Sequence, residues 1–267
     1  MFLKMAKNHA NVPKISIIVP SFNKVNYIRL TLSSIIYQKY PNLEVIIQDG
    51  VSTDGTVKII QEFSEKYPEI FSWVSKKDKG QTDAINQGCR KAKGDIIAYI
   101  NADDLYGKNT FKEVSDYFIN NSNCYWVLGF GNIIDSKGKI ISKLVTKYKN
   151  LLINFNSYNA LLMVNYISQP SVFLSRSAYK KFGPFIGTNK YVLEYDLWLK
   201  IAKIQMPGII KNSLSSFRLT TDNISSTSYN ELLNLDYRIV KRYTEYIFIL
   251  FFHRLHNYLR IVLIYLL

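Results

Sequence analysis

Four short runs rich in β-branched residues, each apart from the last followed by a stretch with helical spacing, fill the first hundred residues of this chain. Ile15 to Pro20 leads into Val25 to Tyr37, where Val25, Ile28, Leu32, Ile35 and Ile36 recur every three or four positions. Leu43 to Ile47 is followed by the turn Thr53-Asp54-Gly55-Thr56 and a helix with Val57, Ile60 and Phe63 on one face. Ile70 to Val74 precedes a helix from Gly80 to Lys91, with Ala84, Ile85 and Gly88 on one side, and Asp95 to Ile100 is the fourth strand. Strands that alternate with helices predict an α/β fold: a parallel sheet with helices on both faces. Ligands of such sheets bind at the carboxyl ends of the strands.

Those ends are acidic. The fourth strand runs into Asn101-Ala-Asp-Asp104, and the second into Gln48-Asp49-Gly50. Adjacent anions at the end of a buried strand are costly unless a cation or hydrogen-bond donors neutralise them. A divalent-metal site answers that need; a solvated Asp-Asp turn capping the next helix answers it too. Asp49 at its strand end can accept hydrogen bonds from a ligand, or can cap a helix, although Asp54 is better placed for the cap.

The second half changes character. Trp126 to Ile134 and Lys139 to Thr146 read as strands around the turn Asp135-Ser-Lys-Gly138, followed by a helix from Leu151 to Val164. Gln169 to Leu174 is a short strand, Arg176 to Phe182 and Tyr195 to Ile204 are helices, and Ile209 to Lys211 is a strand. The polar stretch Asn223 to Asn230 ends the globular part.

Net charge bounds the partners. The 267 residues carry 34 Lys and Arg against 20 Asp and Glu, a formal charge of +14, which suits anionic ligands such as nucleotide diphosphates or acidic headgroups. No arginine-rich arm or zinc-finger spacing occurs, so nucleic acid is set aside. Cys89 and Cys124 are far apart and match no disulfide framework or zinc site, which fits a reducing, cytoplasmic location. The first thirteen residues lack a signal-peptide core. At the other end Tyr246 to Phe252 and Ile261 to Leu267 are apolar, separated by His253-Arg254-Leu255-His256-Asn257. This reads as a basic, aromatic-rich helix able to lie in a membrane interface, or to pack on its own domain.

The order Val19-Pro-Ser-Phe-Asn23, Gln48-Asp49-Gly50 with Ser52-Thr-Asp-Gly-Thr56, Asp78-Lys-Gly80 with Asp83-Ala-Ile-Asn86-Gln-Gly88, and Asn101-Ala-Asp-Asp104 resembles the nucleotide-sugar-binding half of inverting family 2 glycosyltransferases of the GT-A fold. The resemblance covers about residues 14 to 220. It implies a Rossmann-like, mostly parallel sheet flanked by helices, with a carboxyl-terminal helical tail. It implies donor-nucleotide contacts from Pro20, Ser21, Asn23, Asp49, Asp83 and Asp103. Asp103 and Asp104 match the acidic pair of the DXD motif, with Asp104 the ligand of Mn²⁺ or Mg²⁺, ions that hard oxygen donors suit. Leu193-Glu-Tyr-Asp-Leu-Trp-Leu-Lys200 resembles the segment that carries the catalytic base. Aligning Trp198 and Leu199 puts Glu194 where most members have Asp, so Glu194 is the first choice for the base and Asp196 the second. Gln169-Pro170 falls on the acceptor side. Arg218, in Ser216-Phe-Arg218-Leu, is a candidate phosphate contact, with a surface ion pair as its alternative.

The chain divides into an extension (1–13), a nucleotide-sugar-binding half (14–105), an acceptor-binding half of the same domain (106–227) and a helical tail (228–267). The expected activity is metal-dependent transfer of a sugar from a nucleotide-diphosphate donor, a UDP-sugar, to a hydroxyl of a glycan or lipid-linked glycan, with inversion. Cell-surface polysaccharide synthesis at the inner face of the plasma membrane is the expected setting. A nucleotidyltransferase also gathers carboxylates around a metal, but it would carry a glycine- and arginine-rich loop after the first strand, unlike Pro20-Ser-Phe-Asn-Lys24. A non-catalytic nucleotide- or glycan-binding module is the third reading, kept open by Glu194 standing in place of Asp.

Overall fold

The computed structural model describes residues 12–186, 193–220 and 229–265. Strands β1 (Ile15–Ser21), β2 (Leu43–Asp49), β3 (Phe71–Ser75) and β4 (Ile96–Tyr99) lie parallel, in the order β3-β2-β1-β4. β1 is buried along its whole length, as a strand covered on both faces must be. Ile15, Ile17 and Val19 point into one core and Ile18 into the other. Helices α1 (Ile28–Ile36) and α2 (Thr56–Lys66) cover the first face through Ile28, Leu32, Ile59 and Ile60. Helix α3 (Gln81–Lys91) covers the second through Ile85 and Cys89. It crosses β1 closely at Gly88, where an added Cβ would lie 2.5 Å from Cγ2 of Ile18.

The sheet continues into the second half. After β5 (Leu105–Tyr106) comes α4 (Thr110–Asn120), which adds Phe111 and Val114 to the first core. β6 (Trp126–Ile134) and the short β7 (Ile140–Ile141) form an antiparallel hairpin. β8 (Val172–Ser175) inserts between β4 and β6, antiparallel to both. β9 (Gly208–Arg218) runs parallel to β6, and β5 closes the edge antiparallel to β9. The nine-stranded sheet is therefore mixed: its first four strands are the parallel part, and β8 is where direction reverses.

Helices α5 (Lys143–Phe155), α6 (Tyr158–Met163), α7 (Arg176–Phe182), α8 (Tyr195–Ala202), α9 (Tyr229–Lys241) and α10 (Ile247–Tyr265) follow. Side chains from all six join the core on the second face. There Trp126 of β6 stacks on Trp198 of α8, ring centroids 5.5 Å apart at 18°.

Several sequence expectations change here. Lys139 to Thr146 is not a strand: pairing stops at Ile141 and α5 starts at Lys143. Thr146 and Ile153, buried seven residues apart, mark the helical period that the short apolar run concealed. The helix expected over Leu151 to Val164 is the end of α5 and all of α6. β9 extends to Arg218 rather than Lys211, because its polar second half is paired internally; Ser215 is buried against Ser171, Oγ to Oγ 2.6 Å. α4 had no counterpart among the expected elements. Residues 1–11 of the expected extension, and the boundary at 227, lie outside the described residues. Among the described residues no helix is long and apolar enough to cross a membrane.

Candidate active site

Loops at the carboxyl ends of β1, β2 and β4 brace one another before they meet any ligand. Asn23, with φ of 50°, donates its backbone N–H to Ser52 Oγ (2.8 Å) and accepts the Thr53 N–H (2.9 Å). Lys24 N donates to Thr56 Oγ1 (2.8 Å), and Asp54 accepts the N–H groups of Val25 and Thr56 (both 3.0 Å). Asp54 thus ties the two loops together at the start of α2, where burial raises its carboxyl but the hydrogen bonds from the Thr56 hydroxyl and these N–H groups together outweigh it and hold the carboxyl below the usual range.

These loops edge a cavity of about 920 Å³. One wall is Pro20, Ser21, Phe22, Lys24, Gly50 and residues from Lys77 to Gln81, and the floor includes Asn101 to Asp103. The other wall comes from α5, Tyr166 to Gln169, Glu194 and Trp198. Gly80, with φ of 104°, makes the turn into α3 and leaves open space where a side chain would project. Lys24, Lys77 and Lys149 line this space together with Asp78, Asp103 and Glu194.

The expected site residues separate into those that face the cavity and those that shape it. Pro20, Ser21, Asp103 and Glu194 line it. Asp49 is buried one residue behind Gly50 and accepts from Ser52 N (2.9 Å), Ser52 Oγ (2.5 Å) and Ser75 Oγ (2.7 Å), fixing the loop after β2 to β3. Asp83 lies in the first turn of α3 and accepts from Lys79 N (3.1 Å) and Gln87 Nε2 (2.9 Å). The Lys79 hydrogen bond is the main reason its carboxyl stays below the usual range.

The two adjacent acids differ sharply. Asp103 is paired with Lys24 Nζ at 2.7 Å on the cavity floor. Asp104 is fully buried behind it; it accepts from Arg218 N (2.8 Å) and Asn101 Nδ2 (3.2 Å), and Thr31 Oγ1 holds its carbonyl (2.8 Å). Burial, reinforced by the neighbouring Asp103 charge, pushes the Asp104 carboxyl well above its ordinary range. Arg218 is buried too, so it is no surface ion pair. Its Nε donates to the Asp103 carbonyl (2.8 Å), one terminal nitrogen donates to the carbonyls of Asp135 (2.8 Å) and Ser136 (3.2 Å), and its guanidinium lies 4.9 Å from the Tyr27 ring centroid. One side chain thereby clasps the acidic loop, the β6–β7 turn and the entry to α1.

Glu194 and Asp196 are also placed differently. Glu194 is the residue before α8, at the end where helix N–H groups favour an anion. It lines the cavity and accepts a hydrogen bond from the Tyr99 hydroxyl. Burial pushes its carboxyl up to about 7, against the lowering effect of the Tyr99 bond. Asp196 points away, into an ion-pair cluster with Lys200 (2.7 Å), Arg242 (2.9 Å) and the Tyr243 hydroxyl (2.7 Å). Burial alone would raise its pKa, but the bonds from Lys200 and Tyr243 outweigh it and hold the carboxyl low. Tyr99, Lys24 and Asp78 were not singled out from the sequence. A signal for Tyr99 was present: it lies two residues before Asn101 in the same strand run.

Among the described residues no group of three or more His, Cys, Asp or Glu is placed to hold a metal ion. Asp103 has one carboxylate oxygen on Lys24 and the other left for a cation. That donor set fits Mn²⁺ or Mg²⁺ arriving with a diphosphate, since Mg²⁺ characteristically takes one or two carboxylates and completes its shell with phosphate and water.

Solved structures share this architecture. The mannosyltransferase PcManGT from Pyrobaculum calidifontis, solved with GDP-Man and Mn²⁺, aligns over 87% of this chain with a TM-score of 0.68 at 20% identity, and the chain spans 65% of that protein's length. TarS residues 1–349 from S. aureus, solved with UDP, aligns over 85% of this chain and 65% of its own, with a TM-score of 0.59 at 19% identity. These likenesses establish the class: an α/β protein of the GT-A fold. Within that class, the Glycosyl transferase family 2 pattern matches residues 16–182, and the chain belongs to that family. Among curated relatives, the Escherichia coli UDP-Glc:alpha-D-GlcNAc-diphosphoundecaprenol beta-1,3-glucosyltransferase WfgD is 30% identical over 221 residues, 82% of each chain. The putative teichuronic acid biosynthesis glycosyltransferase TuaG of Bacillus subtilis is 26% identical over 219 residues, 81% of this chain and 83% of its own.

Proposed function

We propose that this glycosyltransferase moves a sugar from a UDP-sugar to a hydroxyl of a glycan or lipid-linked glycan, with inversion, in assembly of a cell-surface polysaccharide. The observation that carries this reading is Glu194: a carboxylate at the wall of the cavity, hydrogen-bonded by Tyr99 and with its pKa raised to about 7. A base poised near neutrality is what deprotonation of an acceptor hydroxyl requires. The donor and acceptor classes follow the printed activity of WfgD, and the polysaccharide setting follows the printed name of TuaG.

In this reading the nucleotide lies along Pro20, Ser21 and Gly50, on loops that Asn23 and Asp49 keep rigid, with Asp83 fixing the start of α3. The diphosphate meets Lys24 and Lys77 beside Asp103. A divalent cation, when bound, neutralises charge on the departing diphosphate. Asp103 would hold it from the cavity floor; Asp104, the ligand expected from the sequence, lies buried behind it with both carboxylate oxygens taken by Arg218 N and Asn101 Nδ2. The acceptor enters over Tyr166, Gln169 and Trp198. Its oxygen attacks the anomeric carbon as the bond from that carbon to the diphosphate breaks. The hydroxyl proton passes to Glu194, and the electron pair of the broken bond leaves with the nucleoside diphosphate. Arg218 acts through the loops it clasps. The protein works at the inner face of the plasma membrane, with the terminal helix α10 in peripheral contact with lipid.

The test is a panel of nucleotide sugars supplied to the purified protein with Mn²⁺ or Mg²⁺ and a diphosphate-linked GlcNAc lipid acceptor. Release of UDP that depends on acceptor and is lost on adding EDTA supports the reading. Absence of turnover with every donor, or turnover retained by Glu194→Gln, rejects it.

A further inference from the structure

The outward face of α5 is apolar. Leu144, Tyr148, Leu151 and Phe155 recur at helical spacing on one side, and all four are exposed, Leu144 at 82%. The opposite side, through Thr146, Lys149, Asn150 and Ile153, walls the cavity. α10 is built the same way round: His253 and Asn257 face the protein and are buried, whereas Phe248, Phe251, Phe252, Leu255, Tyr258 and Leu259 face out, Phe248 at 77%. The two faces adjoin, because Tyr148 stacks on His256, ring centroids 6.1 Å apart at 21°. More than half of the large apolar side chains exposed among the described residues lie on these two helices. Monomeric soluble proteins rarely leave such a contiguous patch bare.

Charge identifies what covers it. Neither helix contains an Asp or Glu. The exposed Lys139, Lys143 and Lys147 flank the α5 stripe, and Arg254 sits beside the α10 face. An apolar face flanked by these cations, with the exposed Glu245 as the acid at its edge just before α10, matches an anionic bilayer, with aromatic and aliphatic groups in the acyl boundary and lysines among the headgroups. We propose that α5 is a lipid-docking helix in its own right, seated with α10 on one anionic membrane surface. The cavity would then stand one helix diameter, about 10–12 Å, from the headgroups. A lipid-linked acceptor reaches the site without leaving its bilayer in that arrangement. Docking through α5 needs neither donor nor catalysis, so it is tested apart from the transferase reading.

The full-length protein is sedimented with vesicles of phosphatidylglycerol and phosphatidylethanolamine, and with vesicles of phosphatidylcholine alone. The wild type pellets with the anionic vesicles and only weakly with the neutral ones. The double variant Leu144→Asp/Leu151→Asp binds anionic vesicles at least about tenfold more weakly, while its urea midpoint and donor hydrolysis in solution match the wild type. A Phe248→Asp/Phe252→Asp variant, altered only in α10, loses binding independently. Wild-type vesicle binding by the folded α5 variant overturns the proposal. So does a wild type that is dimeric in solution and ignores vesicles, with the α5 variant monomeric, since the face would then join two copies of this chain.

Discussion

The two walls of the cavity are built on opposite plans. On the wall formed by the loops after β1 and β2, short polar residues at strand ends fasten loop to loop: Asn23 to Ser52 and Thr53, Asp49 to Ser52 and Ser75, Asp54 to Val25 and Thr56. On the wall around Trp198, large side chains pack: Trp198 on Trp126, Phe185 edge-on to both Trp198 and Tyr99. A wall of backbone turns set by hydrogen bonds suits a ligand part that never varies, such as a nucleotide. A wall of aromatic faces can be reshaped by single substitutions, which suits the part that differs between relatives. Glu194, hydrogen-bonded by Tyr99, stands in the second wall, and Asp103 lies on the floor.

The contrast can be broken first at its chemical centre. Glu194→Gln should cut transfer by about 10²–10⁴-fold while nucleotide binding, measured by calorimetry, is kept. In the wild type the rate should rise about tenfold per pH unit below about 7 and level off above it, since only the ionised carboxylate accepts a proton. Retained turnover in the variant would move the base elsewhere. Arg218→Ala comes next. It strips donors from the carbonyls of Asp103, Asp135 and Ser136 at once and should cost about 3 kcal/mol or more in urea unfolding, with donor affinity falling because the acidic loop is released.

Stability should also depend on pH through Glu194. Its carboxyl titrates higher folded than unfolded, so between about 4.5 and about 7 the folded state binds more protons. Unfolding free energy therefore falls as pH rises through that window, by on the order of 1–3 kcal/mol, and levels above it. Glu194→Gln should flatten this slope and be the more stable protein at pH 8; an unchanged slope would show that other groups set it. Tyr99→Phe removes the hydroxyl that favours the ionised form. It should move the acidic limb of the rate profile upward by about one unit or less, with the plateau rate little changed. The smallest effect belongs to the donor-side bracing. Ser52→Ala removes the acceptor for Asn23 N and one donor to Asp49, at about 1 kcal/mol, and should raise the Michaelis constant for donor more than it lowers turnover.

Much of the donor half could be read from the chain. Buried parallel strands are continuous apolar runs, so β1, β2 and β4 stand out, and each ends at a polar turn. What the sequence conceals is direction. Asp103 and Asp104 are neighbours with the same chemistry, yet one faces the cavity and the other an arginine 114 residues away. Asp196, the sequence's second choice after Glu194, is enclosed by Arg242 and Tyr243, contributed from beyond α9, which no local pattern announces. The second half hid more. α5 opens with a run too short to separate helix from strand, and the serines of β9 imitate a loop because their partners lie in other elements.

The position of β8 has a consequence for synthesis. Until residue 175 has left the ribosome, β4 has no neighbour on its outer side, and β6 cannot be joined to it. The nascent first half thus presents an open strand edge for some eighty residues of translation, a state prone to pairing with other chains until β8 closes it.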